Sequence, residues 1–326
     1  NIGTTATAWL IALFGFGKFS ISALSIPLMG IAIPLIFSSK SKRKSTGEFI
    51  FGFAFLFMGL DLLKSSMPDL QNNPEVLSFV QNFSNMGILS VLFYLFIGTV
   101  LTVIVQSSSA TVALTLIMAT KGWIDFPSAA AMIMGENIGT TITANLAAIP
   151  ANISAKRAAF AHFLFNVMGV IWMLFVFKYF VNIVEQLVTN YGPANPAEIS
   201  NFANSLSADE YHQITTLSKS ELPTHLVPKQ KAYLAYQAAT SYGLSLFHTL
   251  FNICNVSIMI WFVKLYEKIC LKVIRPKAGE DEDEEFVLQF ISTGILSTAE
   301  LSILQAEKET EVFVQRVRKM FGFVKK

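Results

Sequence analysis

The stretch Val105-Gln106-Ser107-Ser108-Ser109-Ala110-Thr111 places four adjacent polar side chains, Gln106 to Ser109, in the middle of an apolar run. From Ile88 to Thr120 there are 33 residues and no charge. As one helix this run would extend about 50 Å, well beyond the roughly 30 Å hydrocarbon core of a bilayer. The run is therefore expected to break, and the polar cluster is the place. Inside a membrane a break survives only where it is packed in protein or lines a cavity, because lipid cannot hydrogen-bond the freed backbone groups.

The rest of the composition agrees with a membrane setting. The chain has 326 residues, 53% hydrophobic and 14% charged, with 29 Phe. Soluble domains carry about 25% charged residues. The apolar excess lies in long runs, which excludes a soluble protein with a large core. The net charge of +2 carries little information. Cys254 and Cys270 sit in or beside one apolar helix and do not make a disulfide framework. There is no nucleic-acid signature.

Positive charge orients the spans. Thr4–Phe16 is apolar but short. Ile21–Phe37 is a spanning candidate that Pro27 and Pro34 would kink. Lys40, Lys42, Arg43 and Lys44 follow in a Ser-rich loop, expected on the cytoplasmic face. Phe49–Leu63 then crosses outward, with Asp61 at its interfacial end. Ser65 to Met86 is polar and free of Lys and Arg, as suits an outer segment. The broken run Ile88–Thr120, the turn Lys121–Asp125 and the re-entering segment Phe126–Pro150 lead to the basic pair Lys156-Arg157. Ala158–Val184 crosses outward, residues 185–241 form a long external loop, and Tyr242–Leu265 returns to Lys264, Lys268, Lys272, Arg275 and Lys277. Residues 1–275 thus read as a membrane domain. Residues 276–326 read as a cytoplasmic tail: an acidic run, Glu280–Glu285, then one or two amphipathic helices across Phe286–Phe321.

Asn1-Ile2-Gly3-Thr4-Thr5 recurs as Asn137-Ile138-Gly139-Thr140-Thr141. Each copy is followed by an apolar segment with Met-Gly near its middle, Met29-Gly30 and Met168-Gly169. The first of these segments ends at a basic loop and the second begins at one, so they run in opposite directions. That is the pattern of an inverted-topology repeat, whose binding sites lie near the midplane at broken helices. The second copy is preceded by the Gln-Ser-Ser-Ser unit and the first is not, so the chain is expected to lack roughly half of its first repeat. A second echo links His162–Asn166 to His248–Asn252, each a His and an Asn one helical turn apart. It reads first as interhelical hydrogen bonding that fixes packing, with an intramembrane proton or ion ligand as the alternative.

The break has the chemistry of an ion site. Gln106 offers a carbonyl oxygen and Ser107, Ser108, Ser109 and Thr111 offer hydroxyls; Asn137, Thr140 and Thr141 could supply a facing wall. A hard cation such as sodium takes oxygen ligands of this kind, here Gln106, Ser107, Ser108, Thr140 and Thr141. A half-helix starting near Ser108 would also aim free N–H groups and its positive end at an anion. Serine hydroxyls donate and accept, so they serve either ion. Serine packing between helices is the bland reading of such a cluster. Gly122, Gly135 and Gly139 suit turns and close packing, and Glu136 is the sole acid of its apolar segment, a functional candidate or an interfacial residue.

At these residues the sequence resembles the sodium–phosphate cotransporter family, the type II group and its bacterial relatives. The matching motifs are Gln106–Thr111, Gly135–Thr141, the partial copy Asn1–Thr5, and Lys156-Arg157-Ala158-Ala159 leading into His162–Asn166. The resemblance implies an all-α polytopic membrane protein with two inverted repeats, each carrying a re-entrant hairpin, and with phosphate and sodium held between the hairpin tips. It implies that Gln106, Ser107, Ser108, Ser109, Thr140 and Thr141 line the site, with Asn137 supporting it, and that Asn1, Thr4 and Thr5 stand at the equivalent positions of the first repeat. The tail resembles the start of a PhoU-like domain. The expected activity is sodium-coupled symport of inorganic phosphate across the cell (inner) membrane, with Na+ as coupling ion and no other cofactor. Lipid is an expected partner and a homodimer an expected assembly. A phosphate exporter or regulator is the runner-up. An intramembrane serine hydrolase using His162 or His248 is disfavoured by the lack of a Gly-x-Ser-x-Gly elbow.

Overall fold

The computed structural model describes residues 2–15, 21–66, 83, 86–276 and 299–324 of the chain. Every regular element among them is helical. The helices are α1 (Ile2–Phe14), α2 (Ile21–Ile36), α3 (Ser41–Ser66), α4 (Ile88–Val105), α5 (Ser108–Thr120), α6 (Phe126–Ala147) and α7 (Ile153–Tyr191). They continue with α8 (Ile199–Asn204), α9 (Ala208–Thr216), α10 (Val227–Met259), α11 (Val263–Val273) and α12 (Ala299–Val324). Four stretches are long and apolar enough to cross a membrane: Ser41–Ser66, Ile88–Val105, Ile153–Tyr191 and the near-continuous Thr224–Val273. Large apolar side chains such as Phe37, Phe49, Phe96, Phe175 and Trp261 point outward. Such a surface requires a lipid solvent, and the chain is an all-α membrane protein.

The two ends of the bundle can be told apart. Lys64, near the end of α3, donates a hydrogen bond to the Gly15 carbonyl beyond α1 and lies close enough to Lys121 for their charges to interact. These residues mark the far end. Lys42, Arg43 and Lys44 lie in the first turns of α3, about 30 Å away by helical rise. They belong to the helix rather than to the loop expected from their charge. At the same basic end Arg157 Nε donates to the Ile274 carbonyl (3.1 Å), joining the start of α7 to the end of α11. Asn145, Ala148, Lys156 and Ile274 border one small cavity there. It follows that α6 runs toward the basic end while α1 runs away from it, so the two Asn-Ile-Gly-Thr-Thr helices are antiparallel.

The polar segment read as a loop is instead structured. α7 continues to Tyr191 and α10 begins at Val227, so both extend well past the membrane boundaries read from hydropathy. Between them, α8, α9 and two short 3-10 turns fold over a small core of Ile199, Ala203, Tyr211, Ile214, Leu222, Leu226 and Tyr233. This cap clasps the bundle: Tyr233 Oη and Gln237 Nε2 donate to the Thr120 carbonyl (3.2 and 3.3 Å), and Tyr211 Oη donates to that of Lys121 (3.1 Å). Gly122, with φ 76°, makes the turn at this point, and a Cβ on it would lie 2.7 Å from that of Ala203.

Candidate functional site

The break falls at the polar cluster. α4 ends at Val105, Gln106 takes φ 57° and ψ 23°, and α5 starts at Ser108. Gln106 is the only non-glycine residue with positive φ among the described residues. A left-handed residue is the usual way to end a helix, but glycine normally fills it, so a glutamine here carries strain of about 1 kcal/mol. Its N–H still bonds the Thr102 carbonyl (2.8 Å). Ser107 then caps α5, its Oγ accepting the Ala110 N–H (3.3 Å).

The chain reverses here. Gly87 and Ile88, which open α4, share a cavity wall with Asp125, Pro127 and Ser128, which open α6. α5 has therefore returned to the level from which α4 set out. The two arms are stapled near the tip, with Thr102 Oγ1 3.1 Å from Thr111 Oγ1 and Thr102 also donating to the Gly98 carbonyl (2.9 Å). Ile88–Thr120 is thus a helical hairpin with Gln106 and Ser107 exposed at its turn and Ser108 and Ser109 half-buried.

Glycines hold α4 in parallel against α6. A Cβ on Gly98 would strike the Met132 backbone, one on Gly135 the Leu95 carbonyl at 1.9 Å, and one on Gly139 the Thr99 carbonyl and Thr102 Cβ at 2.6 Å. Thr99 Oγ1 lies 3.0 Å from the Gly135 carbonyl across this contact. On the other side of the tip stands α1: Ser109 Oγ is 3.5 Å from Thr7 Oγ1. A cavity of about 700 Å³ opens between α1, α3 and α5, with Thr7, Ser107 and Ser109 as its hydroxyl wall and Ile11, Phe55 and Leu60 among its apolar one.

The residues singled out in the sequence thus meet only in part. Gln106 to Ser109 and Thr111 share the tip, and Thr4 lies one turn from Thr7 on α1. Thr5 is buried and donates to the Ile2 carbonyl (2.7 Å); Asn1 lies outside the described residues. Thr140 and Thr141 donate to carbonyls of their own helix, at Glu136 (2.8 Å) and Ile138 (2.6 Å), so their hydroxyls keep acceptor lone pairs only. Asn137 is buried, and its Nδ2 has no partner among the described residues. Three residues went unnoticed in the sequence: Thr7, Thr102 and Thr115. Thr7 follows the first repeat copy at helical spacing from Thr4, which is the signal that could have found it. Thr115 donates to Oε1 of the fully buried Glu136 (2.6 Å), which places that acid inside the bundle and not at an interface. By position the first N–H groups of α5, those of Ser108 and Ser109, have no intrahelical acceptor and point past the tip. The tip combines such N–H groups with hydroxyl oxygens and no fixed positive side chain. It can therefore hold an anion and a cation together.

The comparisons with known proteins bear on this arrangement. The family model described as Na+/Pi-cotransporter matches residues 1–65 and 77–190. The Bacillus subtilis protein YqeW is 32% identical over 190 residues, covering 57% of this chain and 58% of YqeW. A Salmonella typhimurium protein named "Putative inorganic phosphate export protein YjbB" is 22% identical over 327 residues, 100% of this chain and 49% of its own. The human sodium-dependent phosphate transport protein 2B is 31% identical over 196 residues, 57% of this chain and 27% of its own. The chain spans about half the length of the first two of these relatives. No solved structure matches it.

Proposed function

The chain belongs to the Na+/Pi-cotransporter family, and from that premise we propose that it is part of a membrane protein that carries inorganic phosphate together with sodium by alternating access. The observation that supports this most directly is the hairpin tip. Free N–H groups at Ser108 and Ser109 suit the phosphate oxygens. The Gln106 carbonyl and the serine hydroxyls suit sodium, and Thr140 and Thr141 keep lone pairs for it. Neutral donors without a fixed Lys or Arg hold phosphate weakly enough to release it once sodium has left. The antiparallel directions of α1 and α6 support two inverted repeats, and Thr7 brings the first repeat to the tip of the second. Positive charge at the basic end supports a cytoplasmic location for that end and for the tail, in a cell whose inner membrane holds the protein. The PhoU-like reading of the tail rests on its sequence; α12 supplies one amphipathic helix of it.

The test is phosphate uptake into proteoliposomes holding the protein of which this chain is part. Uptake in sodium medium should exceed uptake in choline medium at least about tenfold, the cost of losing roughly 1.4 kcal/mol of coupling. Equal uptake in both media would refute coupling. Export is a second reading, because the similarity to YjbB runs through the whole chain. Net flux under imposed gradients separates the two directions. The hydrolase alternative gains nothing from the geometry, in which the tip hydroxyls bond one another, Thr7 and backbone.

A further inference from the structure

One face of α10 is polar from the cap to beyond the middle of the helix. Tyr233, Gln237, Ser241, Ser245, His248, Asn252 and Asn255 follow at spacings of three and four, which lines them up along about 33 Å of helix. The half nearer the cap satisfies itself. Gln237 Nε2 reaches Tyr233 Oη (3.2 Å), and Ser241 Oγ donates to the Gln237 carbonyl (2.7 Å).

The other half does not. Ser245 and Asn255 are 0% exposed, and His248 and Asn252 are 1% exposed. Among the described residues, Ser245 Oγ, both ring nitrogens of His248, Asn252 Oδ1 and Asn255 Nδ2 have no hydrogen-bond partner. Only the opposite atoms of the two amides are engaged. Asn252 Nδ2 donates to the His248 carbonyl (2.8 Å), and Asn255 Oδ1 accepts the Trp172 indole N–H (3.1 Å). The fold makes room for this polar face. Gly169 lies against the Asn255 amide, where a Cβ would come within 2.3 Å of Nδ2. Phe247 and Phe251 turn toward Phe177 and Trp172 of α7, and Thr249 bonds Trp9 of α1. By helical rotation His248 lies between these two sides, at the junction of α1, α7 and α10.

A buried donor or acceptor that has given up water without gaining a partner is destabilising, and five together would offset much of a domain's stability. Something must bond them. A metal cation would need acceptors only, yet Asn255 Nδ2 is a donor. An anion would need donors only, yet Asn252 Oδ1 is an acceptor. Ser245 and the two His248 nitrogens between them offer both roles. The ligand that donates and accepts at successive positions is water. We propose that Ser245, His248, Asn252 and Asn255 hold a file of internal water molecules along this half of α10, inside the membrane domain and separate from the hairpin tip.

Millisecond radiolytic hydroxyl labelling of the protein in nanodiscs, read by mass spectrometry, tests this, since radicals form from the water that touches a side chain. His248 should be oxidised at a rate within about threefold of the exposed His212, despite its burial, if two to four water contacts surround it. Met132 and Met173 are as deeply buried in apolar surroundings, and although more reactive they should stay unlabelled. An unlabelled His248, or one labelled no faster than Met132, would overturn the proposal. Asn252→Leu, which deletes one water acceptor, should slow His248 labelling by about threefold or more. An unchanged rate in a variant that inserts normally would count against the file.

Discussion

Ser108 and Gln106 show how much of the mechanism single residues can carry. Ser108→Ala keeps α5 intact, because the cap belongs to Ser107, but removes a hydroxyl from the tip. Phosphate uptake should fall by at least about tenfold, as expected for losing one hydrogen bond to a charged group, while membrane insertion measured by surface labelling stays normal. Unaltered uptake would remove Ser108 from the site. The glycines give a paired prediction. Gly139 presses on Thr99 and Thr102, whereas a Cβ on its repeat counterpart Gly3 meets nothing within 4 Å. Gly139→Ala should destabilise the fold by about 1–3 kcal/mol through overpacking, and Gly3→Ala should be neutral or slightly stabilising. Thermal unfolding in detergent compares the two, and equal effects would show that the α4–α6 contact is not what Gly139 serves.

Among the elements, the hairpin and the cap differ in how legible they were. The break at Gln106 could be read because length and polarity gave the same answer: 33 uncharged residues cannot be one span, and the polar side chains were contiguous. The cap could not be read from hydropathy, since its helices bury only a few side chains each. Its signals were local. Ser207 and Glu210 form a capping box that opens α9, and this spacing was visible in the sequence but outvoted by the surrounding Pro, Asn and Ser. The same carboxylate makes a testable contribution. Glu210 accepts a hydrogen bond from Lys229 (2.6 Å), which together with the Ser207 N–H holds its carboxyl below the usual 4.5. Because the folded form is the stronger acid, its contribution to the cap is complete above 4.5 and fades as pH falls below that. Limited proteolysis between Asn195 and Val227 should accelerate on acidification below this range, and Lys229→Met should remove part of that acid dependence. A cap equally sensitive with and without Lys229 would deny the pair any role. Tyr233→Phe should loosen the clasp on Thr120 by about 1 kcal/mol, seen as faster hydrogen exchange in residues 118–124.

For the whole molecule, the sequence carried the span order and the two ends, because basic residues cluster at one of them. It did not carry the meeting of α1 with the hairpin tip, since the Thr7–Ser109 contact joins residues 102 positions apart and leaves no local pattern. Nor did it carry the fate of the His and Asn echo. Asn252 bonds its own helix, and the polar tie between α7 and α10 runs from Trp172 to Asn255 instead. Side-specific labelling checks the orientation. Single cysteines at positions 42 and 156 should react only from the cytoplasmic side, and one at position 219 only from outside; the reverse pattern would invert the proposed topology.

The joint between α4 and α6 contains almost no side chain. Backbone lies against backbone at Gly98, Gly135 and Gly139, so nothing compressible separates the two helices. They form one stiff pair, and the hairpin turn that α4 carries meets α1 through α5, where Ser109 lies 3.5 Å from Thr7. A pair packed this way cannot take up a displacement along its own length, so whatever moves it is passed undiminished to the turn that α4 carries, where the serines are.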